Sequence, residues 1–373
     1  MTRAGDGRMS LSVVDAEMNS RERLLTALRC GTPDRVPVGS FTLGRLDPDS
    51  EFGREFIRRT DSIHSPGCGF DFWGRSAPRE HTDEGNGVTS LRVHGPKGDL
   101  VWRWRRTSIT SACIEFPCKS AADFERALAV PYEPPAVDAE GYRRELERFG
   151  DELLVMPGIP NAVCWATELL SPEDFCIAWA DDPRAMIELV GVANERLVNF
   201  VRDAGARGLD CFRIVGGEYV TVQLGPRAVE PLLGRYDTVL CDAIHEHGAI
   251  AYYHCHGTIM RFLADLRDLG IDALDPLEAP PWGDCDLEKA KETLRGRVCI
   301  VGNLDDMEVL EKADLDVIRA IGRERIRQAG PDGLVLGGTA SGTFTEHGAR
   351  GFMALVEVAD EYASGRQGRE CGG

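Results

Sequence analysis

The sequence predicts an α/β protein built as a single (β/α)8, or TIM, barrel with an early β-hairpin insertion. Three observations lead there. From about Val130 onwards, short apolar runs, breaks rich in Gly, Pro or Asp, and amphipathic stretches follow one another along the chain. That is the rhythm of parallel strands joined by right-handed helical crossovers. Counted with two earlier candidates the runs number eight, the number that closes such a barrel. No G-x-G-x-x-G follows the first run, which weakens the open dinucleotide-binding alternative.

The elements follow in order. The opening "MTRAGDGRMSLSVVDAEMNS" lacks the apolar core of a secretory signal, so residues 1–20 read as a loose leader on a cytoplasmic protein. The barrel is expected over residues 21–363. It begins with the helical pattern "SRERLLTALRCG" and the run "RVPVGSF" at Arg35, and "GFDFWG" at Gly69 is the candidate second element. Residues Val88 to Phe116 break the rhythm, alternating with period 2 around a turn at Gly95 to Gly98. This reads as a hairpin and a further strand inserted into the barrel, with Trp102 and Trp104 on one face packing against it.

The remaining runs are "ELLVMPG", "DCFRIVGG", "AIAYYHCHG", "DALDPLEAPP", "RVCIVGNLD" and "GLVLGGTASG". Between them lie stretches such as "RAMIELVGVANERLVNFVRDAG" and "LDVIRAIGRERIRQAG", with apolar residues three and four apart and a closing Gly suited to a helix C-cap. The tail, residues 364–373, is expected to fray.

Composition limits the function classes. With 43 Lys and Arg against 61 Asp and Glu the net charge is -18, which disfavours nucleic acid and anionic membrane as partners. No apolar run is long enough to span a bilayer. The 12 Cys are scattered without C-x-x-C pairs, so they read as buried small hydrophobes.

In a parallel barrel the working face is built from the C-terminal ends of the strands. Polar residues gather there: Glu218 after "IVGG", His254 and His256 after "AIAYY", Asp275 and Glu278 after "DAL", Asn303 and Asp305 after "CIVG", and Thr339 and Ser341 after "LVLGG". In a strand Tyr252, His254 and His256 point to one face, so two imidazoles are expected side by side. They can offer two nitrogens to a divalent metal, with Glu278, Glu218 or Cys285 completing the set; equally, one His can cap the strand end while the other bonds a carboxylate. Glu278 is the favoured third ligand. Asp275, Asn303 and Asp305 are the candidates for acid, base or orienting roles; for Asn303 and Asp305 a turn with side-chain hydrogen bonds is the structural alternative. Arg45, Trp73, Glu218, Tyr252 and Thr339 are the candidates for substrate contact.

Taken together, "RERLLTALRCGTPDRVPV", "YHCHG", "GDCDLEKAK" and "VCIVGNLDD" resemble the uroporphyrinogen decarboxylase superfamily, from about Ser20 to Tyr362. The resemblance implies a single (β/α)8 barrel and either of two activities, tetrapyrrole decarboxylation or zinc-dependent methyl transfer involving corrinoids. The decarboxylases carry an Arg-rich segment after the first strand; here "SFTLGRL" offers Arg45 alone. The methyltransferases carry His-x-Cys-Gly and a distant Cys near the last strand. His254 and His256 stand at the first two of those positions, and "GGTASG" supplies Thr339 where the distant Cys falls. Harder ligands thus replace thiolates.

The resemblance therefore favours a metal-dependent methyltransferase or demethylase acting on a small-molecule heteroatom, with zinc as cofactor and a corrinoid as methyl carrier. A metal-free decarboxylase or lyase of a small carboxylated substrate is the first alternative, and a corrinoid-binding protein without turnover the second. Expected partners are the small-molecule substrate, a corrinoid protein and a second copy in a homodimer.

Overall fold

The computed structural model describes residues 17–108, 110–339 and 343–370, with side chains to residue 365. Its strands are β1 (Ile63–His64), β2 (Arg79–Gly85), β3 (Val88–Val93), β4 (Leu100–Arg106), β5 (Ser111–Glu115), β6 (Leu154–Val155), β7 (Gly158–Pro160), β8 (Cys211–Val215), β9 (Ile250–Cys255), β10 (Ala273–Pro276), β11 (Cys299–Leu304) and β12 (Leu334–Gly338).

The strands β7 to β12 lie side by side in chain order, all parallel. β1 pairs parallel with β6, which runs on into β7. The segment 37–40 closes the ring. Val38 pairs in parallel with Leu336, Leu336 N donates to Pro37 O at 2.8 Å, and on the other side Asp61 N donates to Val38 O at 2.6 Å and Ile63 N to Ser40 O at 2.7 Å. The fold is the (β/α)8 barrel that the alternating pattern predicts.

Side chains sort by alternation. Ile250 and Tyr252 join Met156, Cys211, Ala273 and Val335 in the barrel interior, while Ala251, Tyr253 and Cys255 face the surrounding helices. The helix Ser20–Leu28 closes the lower end. Asn19 caps it in a reciprocal box with Glu22, and Leu24 and Leu28 complete the interior cluster.

Two expectations need correction. The second barrel strand is not "GFDFWG" but the preceding segment around Ile63. There Asp61, fully buried, accepts from Arg23 at 2.7 Å, Arg35 at 2.6 Å and Val38 N at 2.9 Å, binding the segment to its neighbours with paired charge. Gly69 and Gly74 instead adopt φ of 93° and 67° in turns.

The insertion begins at Arg79, not Val88, and forms a four-stranded antiparallel sheet in the order β2-β3-β4-β5. β2 is exposed along its length and so carries no apolar alternation to reveal it. Trp102 anchors the sheet: it is buried, meets Trp73 edge-on at 5.5 Å, and donates to Glu168 O at 2.7 Å.

The backbone helix Glu346–Glu370 reaches into the tail; residues 371–373, like most of the leader, lie outside the described residues. Among the described residues no helix is long and apolar enough to cross a membrane.

Candidate active site

The site is assembled by the inward positions of consecutive strands. The pairing sets Arg213 of β8 beside Tyr252 of β9, and His254 beside Asp275 of β10. Alternation turns these side chains into the barrel above the apolar interior. Beyond the strand ends, loops bring His256, Glu278 and Glu218 to the rim.

His254 and His256 lie as expected, side by side, with ring centroids 4.4 Å apart and planes at 86°. The contacts of both rings are made at Nδ1. His254 Nδ1 is 3.0 Å from Asp275 Oδ1 and 2.7 Å from Arg213 Nη2. Arg donates only and an ionised carboxylate accepts only, so this nitrogen serves one neighbour with a hydrogen or the other with a lone pair. The same cage therefore accepts both tautomers of His254.

His256 Nδ1 is 3.1 Å from Glu278 Oε1, and Glu278 Oε2 accepts from Gly257 N at 2.8 Å. That hydrogen bond raises the His256 pKa above its ordinary value, against the opposing effect of burial. Burial would raise the Glu278 and Asp275 pKa values, yet both carboxyls are held below their ordinary range: Glu278 by His256 and Gly257 N, Asp275 by the charges of His254 and Arg213. Glu278 thus meets His256 with one oxygen and Gly257 N with the other.

Arg213 is the residue that sequence reasoning missed. It is 8% exposed, with its guanidinium 4.3 Å over the Phe41 ring and 3.4 Å from Asp275 Oδ2. Its Nε has no partner. A charged residue in the middle of the apolar run "CFRIV", at the parity of the inward Cys211, is the signal that could have found it.

Other expected residues are placed as follows. Tyr252 is fully buried beneath the pair; burial first, then Asp275, raises its phenol pKa. Glu218 carries a buried Oε2 without a partner and is close enough to His256 to favour its protonation. It follows Gly216, whose φ of 116° and whose contact with Asn161 Oδ1, 2.6 Å from where a Cβ would stand, admit only glycine.

Asn303 is buried, donates to Leu277 O at 2.9 Å, and leaves Oδ1 unpaired. Asp305 is a helix cap, accepting from Met307 N at 2.9 Å and Glu308 N at 2.8 Å, the structural alternative for that residue. Its neighbour Asp306 is the buried one and accepts from Thr339 N at 2.7 Å. Thr339 and Asn303 line a cleft beside the imidazoles together with Glu278 and Trp282.

Arg45 is exposed, its backbone N tied to Phe344 O. Trp73 is buried, with its ring edge-on to Trp102 and Trp165. Burial pushes the Cys285 thiol up to about 12, leaving it protonated at neutral pH. Ser341 lies outside the described residues. Among the described residues no group of three or more His, Cys, Asp or Glu is gathered in a metal-binding arrangement.

A (β/α)8 barrel whose mouth holds paired, carboxylate-backed imidazoles defines the class: a barrel with a polar centre at the C-terminal ends of its strands. The family model for uroporphyrinogen decarboxylase (URO-D) matches residues 162–362, more than half of the chain, and the chain belongs to that family. Among solved structures it is similar to a methyltransferase from Methanosarcina mazei, at 16% identity and a TM-score of 0.64, with 93% of this chain and 99% of that chain covered. It is also similar to a B12-independent methionine synthase from Shewanella sp. W3-18-1, at 12% identity and a TM-score of 0.48, covering 76% and 77%. No curated protein sequence matches the chain.

Proposed function

We propose that the protein is a methyltransferase or demethylase acting on a heteroatom of a small molecule, and that a divalent metal such as zinc is held by His254 and His256. One observation carries this reading: the two rings are 4.4 Å apart and each has a carboxylate at Nδ1. A carboxylate behind the ring orients a metal-ligating His and leaves Nε2 for the metal. His254, His256 and Glu218 are not gathered as a ligand set among the described residues, and what supports a dication is the local charge. Asp275, Glu278 and Glu218 against Arg213 leave two negative charges uncompensated when the imidazoles are neutral, a balance that a dication restores. Glu218, with its orphaned buried Oε2, is the third donor of this reading, which therefore differs from the expectation that placed Glu278 there.

A bound metal of this kind lowers the pKa of a heteroatom that coordinates it. The chain's own residues do the rest. Asp275 and Glu278 fix the imidazole rings, Arg213 and Tyr252 keep the floor of the site polar but closed, and His254 can hold or release a proton at Nδ1 through its two tautomers. Membership of the URO-D family supports an enzyme at this site, and the Methanosarcina mazei methyltransferase shares the fold; a corrinoid as methyl carrier is part of the same proposal. The contact of Arg213 with His254 favours a second reading, a metal-free lyase in which His254 carries the proton and Asp275, held as a carboxylate, orients it.

Metal analysis of anaerobically purified protein separates the two. The expected result is one metal per chain, lost in His254→Ala and His256→Ala. Metal-free wild-type protein that releases carbon dioxide from a carboxylated substrate would favour the lyase.

A further inference from the structure

Next to the imidazole pair lies a cleft of about 490 Å³, within the size range of small-molecule sites. Glu278 belongs to both: it lines the cleft and bonds His256 at 3.1 Å. The walls are apolar, from Pro280, Pro281, Val309 and Ile321, with Trp282 at the rim, 63% exposed.

Two polar groups in the lining have no partner among the described residues. Asn303, 3% exposed, presents an unpaired acceptor, Oδ1. Arg325 presents an unpaired buried donor, Nε; its head group bonds Gln328 at 3.0 Å, and among the described residues it makes no ion pair. The carboxylates that share the lining are already engaged: Glu278 by His256 and Gly257 N, Asp305 by two backbone N–H groups, and Glu308 by Lys312 at 2.7 Å. Among the described residues Arg325 is the one cation in the lining, and no carboxylate pairs with it.

We infer that this cleft is the specificity subsite for a small carboxylic acid that carries a hydroxyl or amine donor on a flat apolar body. The carboxylate pairs with Arg325, the donor meets Asn303 Oδ1, and the body lies against Trp282 and the prolines. A buried donor or acceptor left unmatched costs free energy, so a ligand offering both partners is selected over one that offers neither. Placing the reacting end toward the imidazoles rests on the proposed function; binding in the cleft does not.

The test is calorimetric titration of purified full-length protein with 4-hydroxybenzoate and its neutral analogue 4-hydroxybenzamide. Wild type should bind the acid at least about tenfold more tightly than the amide, the order of one charge-assisted contact. Arg325→Met and Arg325→Gln should remove that preference while leaving amide binding unchanged, with thermal midpoints confirming that each variant is folded. Asn303→Ala should weaken both probes. Equal binding of acid and amide, an acid preference that survives in a folded Arg325 variant, or no binding of either probe to wild type at millimolar concentration would each overturn the inference. Neither metal nor turnover is read here. An acid-selective cleft in a protein without metal leaves this inference standing and removes the proposed function; metal at the imidazoles beside an acid-blind cleft does the reverse.

Discussion

At the scale of the residue the site is governed by two carboxylate–imidazole contacts that differ in burial. Asp275 and His254 are buried with Arg213, and the Asp275 carboxyl is held below its ordinary range there. His256 is at the rim, and its titration is the variable one. Because Glu278 raises the folded-state pKa of His256 above 6.5, the pair stabilises the metal-free protein fully below that value, and the contribution is lost as pH rises through the folded pKa. The same loss of a proton frees Nε2. Metal uptake should therefore increase with pH across this transition, and Glu278→Gln should move the transition down toward 6.5. Following the His256 ring resonances by NMR checks this; an unchanged midpoint in the variant would remove Glu278 as the cause. His254, His256, Asp275 and Glu278 were legible because each follows an apolar run directly. Arg213 was hidden inside one, and the burial of Trp73 against Trp102 and Trp165 depends on packing between segments that no local pattern records.

Element by element, the strand register converts sequence spacing into proximity. Asp275 and Arg213 lie far from His254 in sequence, yet parallel pairing brings all three together. The short element after β11 shows the opposite behaviour, since Asp305 bonds only its own following turn while Asp306 ties that turn to Thr339. Asp305→Ala should cost about 1 kcal/mol, the typical value of a lost N-cap, with metal content unchanged. Denaturant unfolding with parallel metal analysis reads both, and loss of metal in this variant would return Asp305 to the site. The period of 3.6 and the closing glycines made the helices readable. β2 was not readable, because a strand exposed on both faces has no contrast between them.

For the molecule as a whole, the barrel has a sealed lower end and a polar upper one. The helix Ser20–Leu28 seals it, with Leu24 fully buried in the interior cluster. Leu24→Ala should destabilise the fold by about 2–5 kcal/mol through the cavity it leaves, while stoichiometric metal remains bound below the lowered thermal midpoint. Metal lost in proportion to stability would show that the two ends are coupled. The sequence by itself determined the eightfold alternation, the parallel sheet and the polar rim, because hydrophobic periodicity and strand-end chemistry are local properties of the chain. Only the tertiary structure decided which carboxylate stands behind which imidazole, that Arg213 joins them, and that Asp61 makes the second strand. Those outcomes depend on register and on the pairing of buried charge between segments remote in sequence, and no local pattern encodes them.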